Sequence, residues 1–479
     1  MKIILCSFLL CLWSFAFAEL AAKNILFISA DDLNCDIACY GVPQVKTPHL
    51  DRLAKMGVRF DRAYCQQPLC GPSRASVMTG LRPDTTGFHK LHDDLRTLRP
   101  NAVTLGQFFR NQAIVSARVG KIYHYNNPSS IGTDGKDDIR TWDVRYNPAG
   151  IDKRQEENII RYPGGVKGIK DRLGISMAWW DPVSEDDDHT DGMVTSRAIK
   201  LMDEYKDQRW FIAAGFFNPH CPYVAPKKYF DMYPLEEIEM QDWESAKKDL
   251  EDVPPMAVMR DTRNWPYYFK DVTLEEARRC KQAYYACVSF TDAQVGRLLD
   301  ALDQRGLTDE TLIVFWSDHG YFLGEKGLWY KRKNFERVAR VPLLIAGAGI
   351  KPQPAGCATP VELIDLYPTV LDYAGFTPTP DLDGQSLRSL LEDPTNKNKG
   401  WNNKPAITQV IHNPNSYGYS IRVPGWRYIE WKHGEAGREL YDQTNDPQEI
   451  TNLAKDPKHA ALVKKLSAQL APYSSYFVK

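Results

Sequence analysis

The chain has almost no net charge: 60 Lys and Arg stand against 61 Asp and Glu, leaving −1 at pH 7. That excludes the broad basic surface of a general nucleic-acid or anionic-membrane binder. An anionic ligand must therefore be met by a local cluster of cations. Low-complexity tracts are absent, and the composition is that of an ordinary globular protein. Cysteine is scarce, with 10 in 479 residues, too few for a disulfide-built scaffold. Cys35 and Cys39 stand without a second cysteine pair or a nearby histidine, which makes a poor zinc site. They pair with each other or simply lie buried. Long apolar runs are also missing, with one exception. Lys2 is followed by an apolar stretch over Ile3–Phe17, then Ala16-Phe-Ala18 before Glu19. This reads as a secretory leader over residues 1–18, too short for a membrane span and with no basic stop after it. The expectation is export to the periplasm or the medium, with no stable membrane anchoring. The length supplies material for two or three domains.

Three runs read as buried strands with polar residues at their C-terminal ends. Asn24–Ala30 ends in Asp31-Asp32, Trp210–Gly215 leads to Asn218-Pro219-His220, and Ile313–Trp316 ends in Ser317-Asp318-His319. In an open α/β sheet, ligands bind outside those ends. Helical patterns cover Pro48–Met56, Leu274–Leu302 and Leu363–Ala374. Ile350–Ala358, rich in Pro and Gly, and Pro394–Pro405 read as loops. Past about residue 410 the texture changes. Two arms of a hairpin join at Pro424-Gly425, a strand follows at Glu439–Asp442, and a terminal helix covers Asp456–Ala471. The expected fold is α/β: a large, mostly parallel sheet sandwiched by helices over 19–400. A smaller C-terminal α+β subdomain with an antiparallel sheet occupies 401–479.

The most informative stretch is Cys70-Gly-Pro-Ser-Arg-Ala-Ser-Val-Met-Thr-Gly80. It matches C-x-P-S-R-x-x-x-x-T-G, the signature of type I sulfatases. Further stretches in the same order are Asp31-Asp32, Leu81–Gly87, Val119–His124, Asn218–His220, Ser317–Glu325, Trp329–Lys331, Tyr419–Arg422 and Leu440–Asp446. Over nearly the whole mature chain, the sequence resembles the formylglycine-dependent sulfatases of the alkaline-phosphatase-like superfamily, on the iduronate-2-sulfatase-like branch.

The resemblance implies that Cys70 is the precursor of formylglycine, whose hydrate attacks sulfur with one hydroxyl and expels sulfate with the other. A formylglycine-generating or anaerobic maturation enzyme would be a transient partner. Asp31, Asp32 and Asp318, with His319 and the modified Cys70, would hold one Ca²⁺ per chain. An oxygen-rich carboxylate cluster suits such a hard ion, and adjacent carboxylates need a cation to remain ionised. Sulfuryl transfer also needs preplaced positive charge. Arg74, one helical turn beyond Cys70, would hold the hydrate. Lys121 and His124 are spaced i, i+3, so a helical turn would put both on one face. By resemblance Lys121 contacts the hydrate and sulfate, and His124 takes the proton that starts sulfate release. His220 and Lys331 would bind sulfate oxygens, with either protonating the leaving alcohol. His319 would bind the ion or contact the nucleophile or sulfate. Arg332 and Lys333 read as surface charges.

The implied activity is hydrolysis of O-sulfate esters on a sulfated polysaccharide or its fragments. The alternatives are an iduronate-2-sulfate-specific exo-sulfatase and a phosphonate or phosphate ester hydrolase. Asn218 stands where the iduronate type has Lys, a departure that bears on substrate choice. Candidate sugar-reading side chains are His89, His92, Asp93, Trp142, His189, His412 and Trp431. The run Glu185–His189 reads as an exposed loop.

Overall fold

The computed structural model describes residues 22–161, 173–175, 177–259, 272–397 and 400–474. The leader expected over residues 1–18 lies outside them. Eight strands form the main sheet: β1 Asn24–Ala30, β2 Gly57–Phe60, β3 Val115–Gly120, β4 Val144–Tyr146, β5 Trp210–Gly215, β6 Thr311–Ser317, β7 Leu343–Gly347 and β8 Gln353–Cys357. Their order is β8-β2-β7-β6-β1-β5-β3-β4. All run parallel except β7, which opposes both of its neighbours. The mostly parallel α/β sheet is as expected.

β1 is buried along its whole length because helices cover both faces of the sheet. Its side chains alternate between two cores. Ile25 and Phe27 join the core that holds Val77 and Met78 of helix α1 (Cys70–Thr79). Leu26, Ile28 and Ala30 join the core with Val194 and Ala198 of α2 (Thr190–Glu204) and Ala283 and Val288 of α3 (Leu274–Gln304). Each Ile, Leu, Val, Phe or Met side chain so withdrawn from water contributes about 1.5–3 kcal/mol before chain entropy is charged, and each Ala less. α3 starts on a capping box, Thr273 with Glu276.

One expectation fails here. Residues 353–357, read as loop, form edge strand β8 on β2, with a register shift between Gln353 and Cys357. Pro354 is tolerated because an edge strand does not need every N–H.

The second sheet, β9 Ala406–Asn413, β10 Ser416–Val423, β11 Trp426–Trp431 and β12 Arg438–Asp442, is antiparallel in chain order. Gly425 takes φ +80° in the β10–β11 turn, a conformation that favours glycine. One face of this sheet packs on the helix Ala460–Leu470 through Leu466 and Leu470. The other packs through Ile429, Trp431 and Tyr441 on Phe322, Phe335 and Val338 of the larger part. The Arg427 guanidinium donates to Glu336 across that junction at 2.6 Å.

Candidate active site

Strand register assembles the site. In the parallel ladder Ala30 lies opposite Ser317, Ser29 opposite Gly215, and Gly215 opposite Gly120. Four strand ends therefore coincide, and the residues just beyond them meet: Asp31-Asp32, Asp318-His319, Asn218–His220 and Lys121. The crowding at the β3–β5 end requires glycine. A Cβ on Gly215 would lie 2.1 Å from the Lys121 carbonyl, and one on Gly120 would lie 2.2 Å from the Gly215 carbonyl. α1 brings Cys70 in as its first residue, after the extended Leu69. Every residue of α1 is buried, so its apolar pattern has no solvent side.

Cys70 Sγ lies 3.3 Å from His319 Nε2 and 3.1 Å from Lys331 Nζ, and its thiol faces Asp32 Oδ1 at 3.9 Å. Lys331 also donates to Asp32 Oδ1. It follows the short ribbon of Phe322–Leu323 with Trp329–Tyr330, and its neighbours Tyr330 and Arg332 both take left-handed φ. His319 Nδ1 donates to the Gly320 carbonyl at 2.9 Å, which leaves the Nε2 lone pair facing Cys70 and, at 3.3 Å, Asp32. Burial, working against Asp318, pushes His319 down to about 4, so the ring is neutral at pH 7.

The carboxylates are tied from behind. Arg74, fully buried, donates to Asp318 Oδ2 at 2.9 Å and Asp31 Oδ1 at 3.2 Å. Lys121, also fully buried, donates to Asp31 Oδ2. Burial alone would raise the Asp31 carboxyl, but Lys121, with His220, Arg74 and Lys331, holds it well below the carboxylate range. Asp32 is different. Burial, opposed by Lys331 and reinforced by Asp31 and Asp318, pushes it up to about 7. Its Oδ2 is buried without a hydrogen-bond partner among the described residues, and its φ is +63°. The oxygen atoms and ring nitrogen of Asp32, Asp318 and His319 lie within 4.8 Å of one another and of Cys70 Sγ, and those of Asp31, Asp32 and His220 do likewise. A hard divalent cation fits this donor set, and the unpartnered Asp32 oxygen is where the set lacks positive charge.

A cavity of about 400 Å³ opens above Cys70, Asp32, His124, His220 and Lys331. His124 lies in a loop, so the expected helical turn from Lys121 to His124 is not formed. The loop still brings both inward. His124 Nε2 faces Asn126 Oδ1 at 3.2 Å, and Nδ1 is buried without a partner among the described residues. Burial and Lys121 hold His124 well below its ordinary value, leaving a neutral ring. His220 donates from Nδ1 to the Cys221 carbonyl at 2.5 Å, and its Nε2 lies 3.7 Å from Asp32. Arg74 and Lys121 do not line the cavity; they stand one step back, on the carboxylates.

Several sequence candidates lie elsewhere. Trp142 is stacked on Phe211 in the core, Trp431 is buried with its indole N–H on Glu439, and His189 is buried against Phe290. His89 bonds Asp84, and Asp93 accepts backbone N–H groups of His89 and Lys90. His412 sits in β9 away from the cavity, so only His92 of the seven lines it. Glu185–His189 forms a 3-10 turn with a capping box, and Asp186 accepts from Tyr229 and Gln294. Lys333 is buried and donates to the Met259 carbonyl, so it is no surface charge. Asn218 turns its amide to the Val224 carbonyl, away from the cavity. Cys35 and Cys39 are unpaired thiols. Missing from the sequence reading are the wall residues Asn126, Asn127, Glu156, Arg161 and Tyr330. The Asn pair follows His124 after one residue, Tyr125, and Tyr330 precedes Lys331, so closeness in sequence could have flagged those three. Glu156 and Arg161 carry no such signal.

Comparison with known proteins agrees with this arrangement. The Sulfatase family model matches residues 23–376, and the model of the C-terminal part of N-sulphoglucosamine sulphohydrolase matches residues 324–475. A sulfatase of Formosa agariphila is 34% identical over 94% of this chain and 87% of its own. The iduronate 2-sulfatase of Mus musculus is 30% identical over 93% of each. Among solved structures, the phosphonate monoester hydrolase of Agrobacterium radiobacter shares the fold with a TM-score of 0.74 at 23% identity, covering 95% of this chain and 96% of that one. On the family match and the relatives at 30% identity and above, the chain belongs to the sulfatase family.

Proposed function

We propose that this protein is an exported sulfuric ester hydrolase that removes O-sulfate groups from a sulfated polysaccharide or its oligosaccharide fragments. The observation that carries the reading is Cys70 at the floor of a polar-walled cavity, between His319, Lys331 and Asp32. Burial, against the pull of Lys331, pushes the Cys70 thiol well above its ordinary value. The unmodified sulfur is thus a poor nucleophile, which supports conversion to formylglycine by a maturation enzyme. As the aldehyde hydrate, that residue supplies one hydroxyl to attack sulfur and a second to expel sulfate.

Asp31, Asp32, Asp318 and His319 would hold one Ca²⁺, which supplies positive charge beside the nucleophile and the sulfate oxygens. Arg74 and Lys121 keep Asp31 and Asp318 in place, and the cations around Asp31 hold it ionised. Lys331 is held charged against burial chiefly by Asp32, so it meets the sulfate as a cation. His220 stands beside it on the cavity floor with its Nδ1 proton on the Cys221 carbonyl, so it can act as an acid only as the imidazolium, and the leaving alcohol takes its proton from His220 in that form or from Lys331. His124, neutral and with Nδ1 unpartnered, is the base that draws the proton from the second hydroxyl. The cavity wall offers Asn126, Asn127, Glu156, Arg161 and His92 to sugar hydroxyls and acidic groups. The relatives' names include iduronate 2-sulfatase, which supports a sulfated sugar as substrate. Asn218 in place of a cation argues against copying that relative's sugar.

Two measurements test the reading. Mass spectrometry of the Cys70 peptide from the native host is expected to show the aldehyde, and a thiol throughout would overturn the mechanism. Converted enzyme on a panel of defined sulfated oligosaccharides is expected to release sulfate. Faster turnover of 4-nitrophenyl phosphate or a phosphonate monoester than of any sulfate would reassign it as a phosphorus-ester hydrolase.

A further inference from the structure

A buried carboxylate outside the reacting centre has no cation beside it. Asp191, in the first turn of α2, is 1% exposed and forms no ion pair among the described residues. Its Oδ1 accepts the N–H of Phe217 at 2.8 Å and its Oδ2 the N–H of Asn218 at 2.9 Å. Burial pushes its carboxyl up to about 7, only partly countered by those two N–H groups. A buried carboxyl must be hydrogen-bonded, and here its partners are two backbone N–H groups.

The segment it grips touches the site at three points. The Phe217 carbonyl accepts the N–H of His220 at 3.1 Å, closing the turn that aims the imidazole toward Asp32. The Asn218 carbonyl accepts the N–H of Asp31 at 3.3 Å. The Phe217 ring lies 5.9 Å from the Lys121 ammonium. The two carboxylate oxygens hold two consecutive N–H groups, which fixes the orientation of that peptide as well as its position.

We infer that Asp191 is a positioning residue for sulfate-ester hydrolysis, setting the imidazole of His220 through the Phe217 and Asn218 amides. The inference rests on the reading above, in which His220 acts on the bound ester. Asp191 touches neither substrate nor ion. Asparagine in its place keeps the shape but presents an NH₂ donor to one of the two N–H groups, so one amide loses its acceptor and the turn loosens. A misplacement of about 1 Å at a reacting group costs on the order of 100-fold in rate.

The test is a double-mutant cycle on the converted, full-length enzyme with the sulfated oligosaccharide of the panel above that it hydrolyses fastest, whose sugar alcohol needs a proton to leave, reading kcat, KM and Tm for Asp191→Asn, His220→Ala and the double variant. Asp191→Asn is expected to lower kcat about tenfold or more with KM little changed. In the His220→Ala background it is expected to have no further effect on kcat, which a purely structural role would not produce. Multiplying losses in the double variant, or an unchanged kcat in Asp191→Asn, would overturn the inference while leaving the sulfatase reading intact. An unchanged kcat in His220→Ala alone would remove the role of His220 itself, and the inference with it. If Asp191→Asn does not fold, Asp191→Ser, which retains one acceptor, takes its place in the cycle. Failure of both to fold would make Asp191 a determinant of the fold and also refute the assignment.

Discussion

Arg74 offers the sharpest test of how the carboxylate cluster is held. Its guanidinium gives Nε to Asp318 and Nη2 to Asp31, and it also donates to the carbonyls of Ala30, Lys121 and Ile122 at 3.2, 2.8 and 3.1 Å. Arg74→Met leaves two buried carboxylates short of a cation, and removing one partner of a buried ion pair costs about 3–5 kcal/mol. Of the three carbonyls that lose this donor, that of Lys121 still accepts from Ser29 Oγ at 3.1 Å, and the losses at Ala30 and Ile122 add roughly 1 kcal/mol each at the low end. The sum rivals the whole stability of an ordinary domain, about 5–15 kcal/mol. Arg74→Met is therefore expected to accumulate poorly as folded protein. Arg74→Lys keeps the charge, but three donors on one nitrogen replace five in a planar fork. It is expected to fold, to lose about 2–3 kcal/mol, and to lose kcat more than it gains KM, because Arg74 meets the carboxylates and not the substrate. Urea unfolding at a fixed Ca²⁺ concentration, with steady-state kinetics on the same samples, measures both. An Arg74→Met protein as stable as the parent would refute the reasoning. So would an Arg74→Lys enzyme whose defect is confined to KM, since that would place Arg74 on the sulfate.

Three further outcomes are expected. His124→Ala lowers kcat by about 100-fold or more with little change in KM, as loss of a general base does; steady-state kinetics checks it, and an equal loss in KM would point to substrate binding instead. Chelation lowers Tm and added Ca²⁺ restores it, by about 2.7 kcal/mol at 100 times Kd, and Asp32→Asn abolishes that ion-dependent shift in a thermal melt. Opposing groups shape stability on the acid side, and pH-dependent unfolding resolves them. Burial holds the folded His124 below its ordinary value of 6.5, so its own contribution declines as pH drops below 6.5, while Asp32 and Asp191, raised to about 7 in the fold, offset that decline over the same range. Glu336 and Glu362 resist burial through Arg427 and Arg422, and Arg82 and Lys404, and sit at about 2. Their contribution is whole above about 4.5 and is lost as pH falls through about 2, so a flat profile from pH 5 to 2 would contradict the pairing.

Much of this site could be read along the chain because its chemistry is contiguous there. Cys70 and Arg74 share one helix, Asp31-Asp32 and Asp318-His319 end two plainly apolar runs, and the hairpin around Pro424-Gly425 announces itself by its turn. Strand β8 was less visible because Pro and Gly mark a turn and a tolerant edge strand alike. Burial was the weakest inference. Trp142 and Trp431 look like sugar platforms in sequence, yet they fill cores, because an aromatic side chain reads the same at a pocket wall and in an interior. Lys333, beside Lys331 in a basic run, turns inward to a carbonyl for reasons that lie 74 residues away.

The sequence by itself determined the class of reaction, since the Cys70 signature is one unbroken helix start, and it named the charged groups that such a reaction needs. Only the tertiary structure decided how they are shared out. Register between parallel strands places Ala30, Ser317, Gly215 and Gly120 at one edge, so that Arg74 and Lys121 fall behind the carboxylates while His124, His220 and Lys331 face the cavity. That division follows from contacts between residues hundreds of positions apart, which no local pattern encodes. The same holds for Asp191, an ordinary helix-start acid in sequence whose two oxygens hold the loop of His220 once the chain is folded.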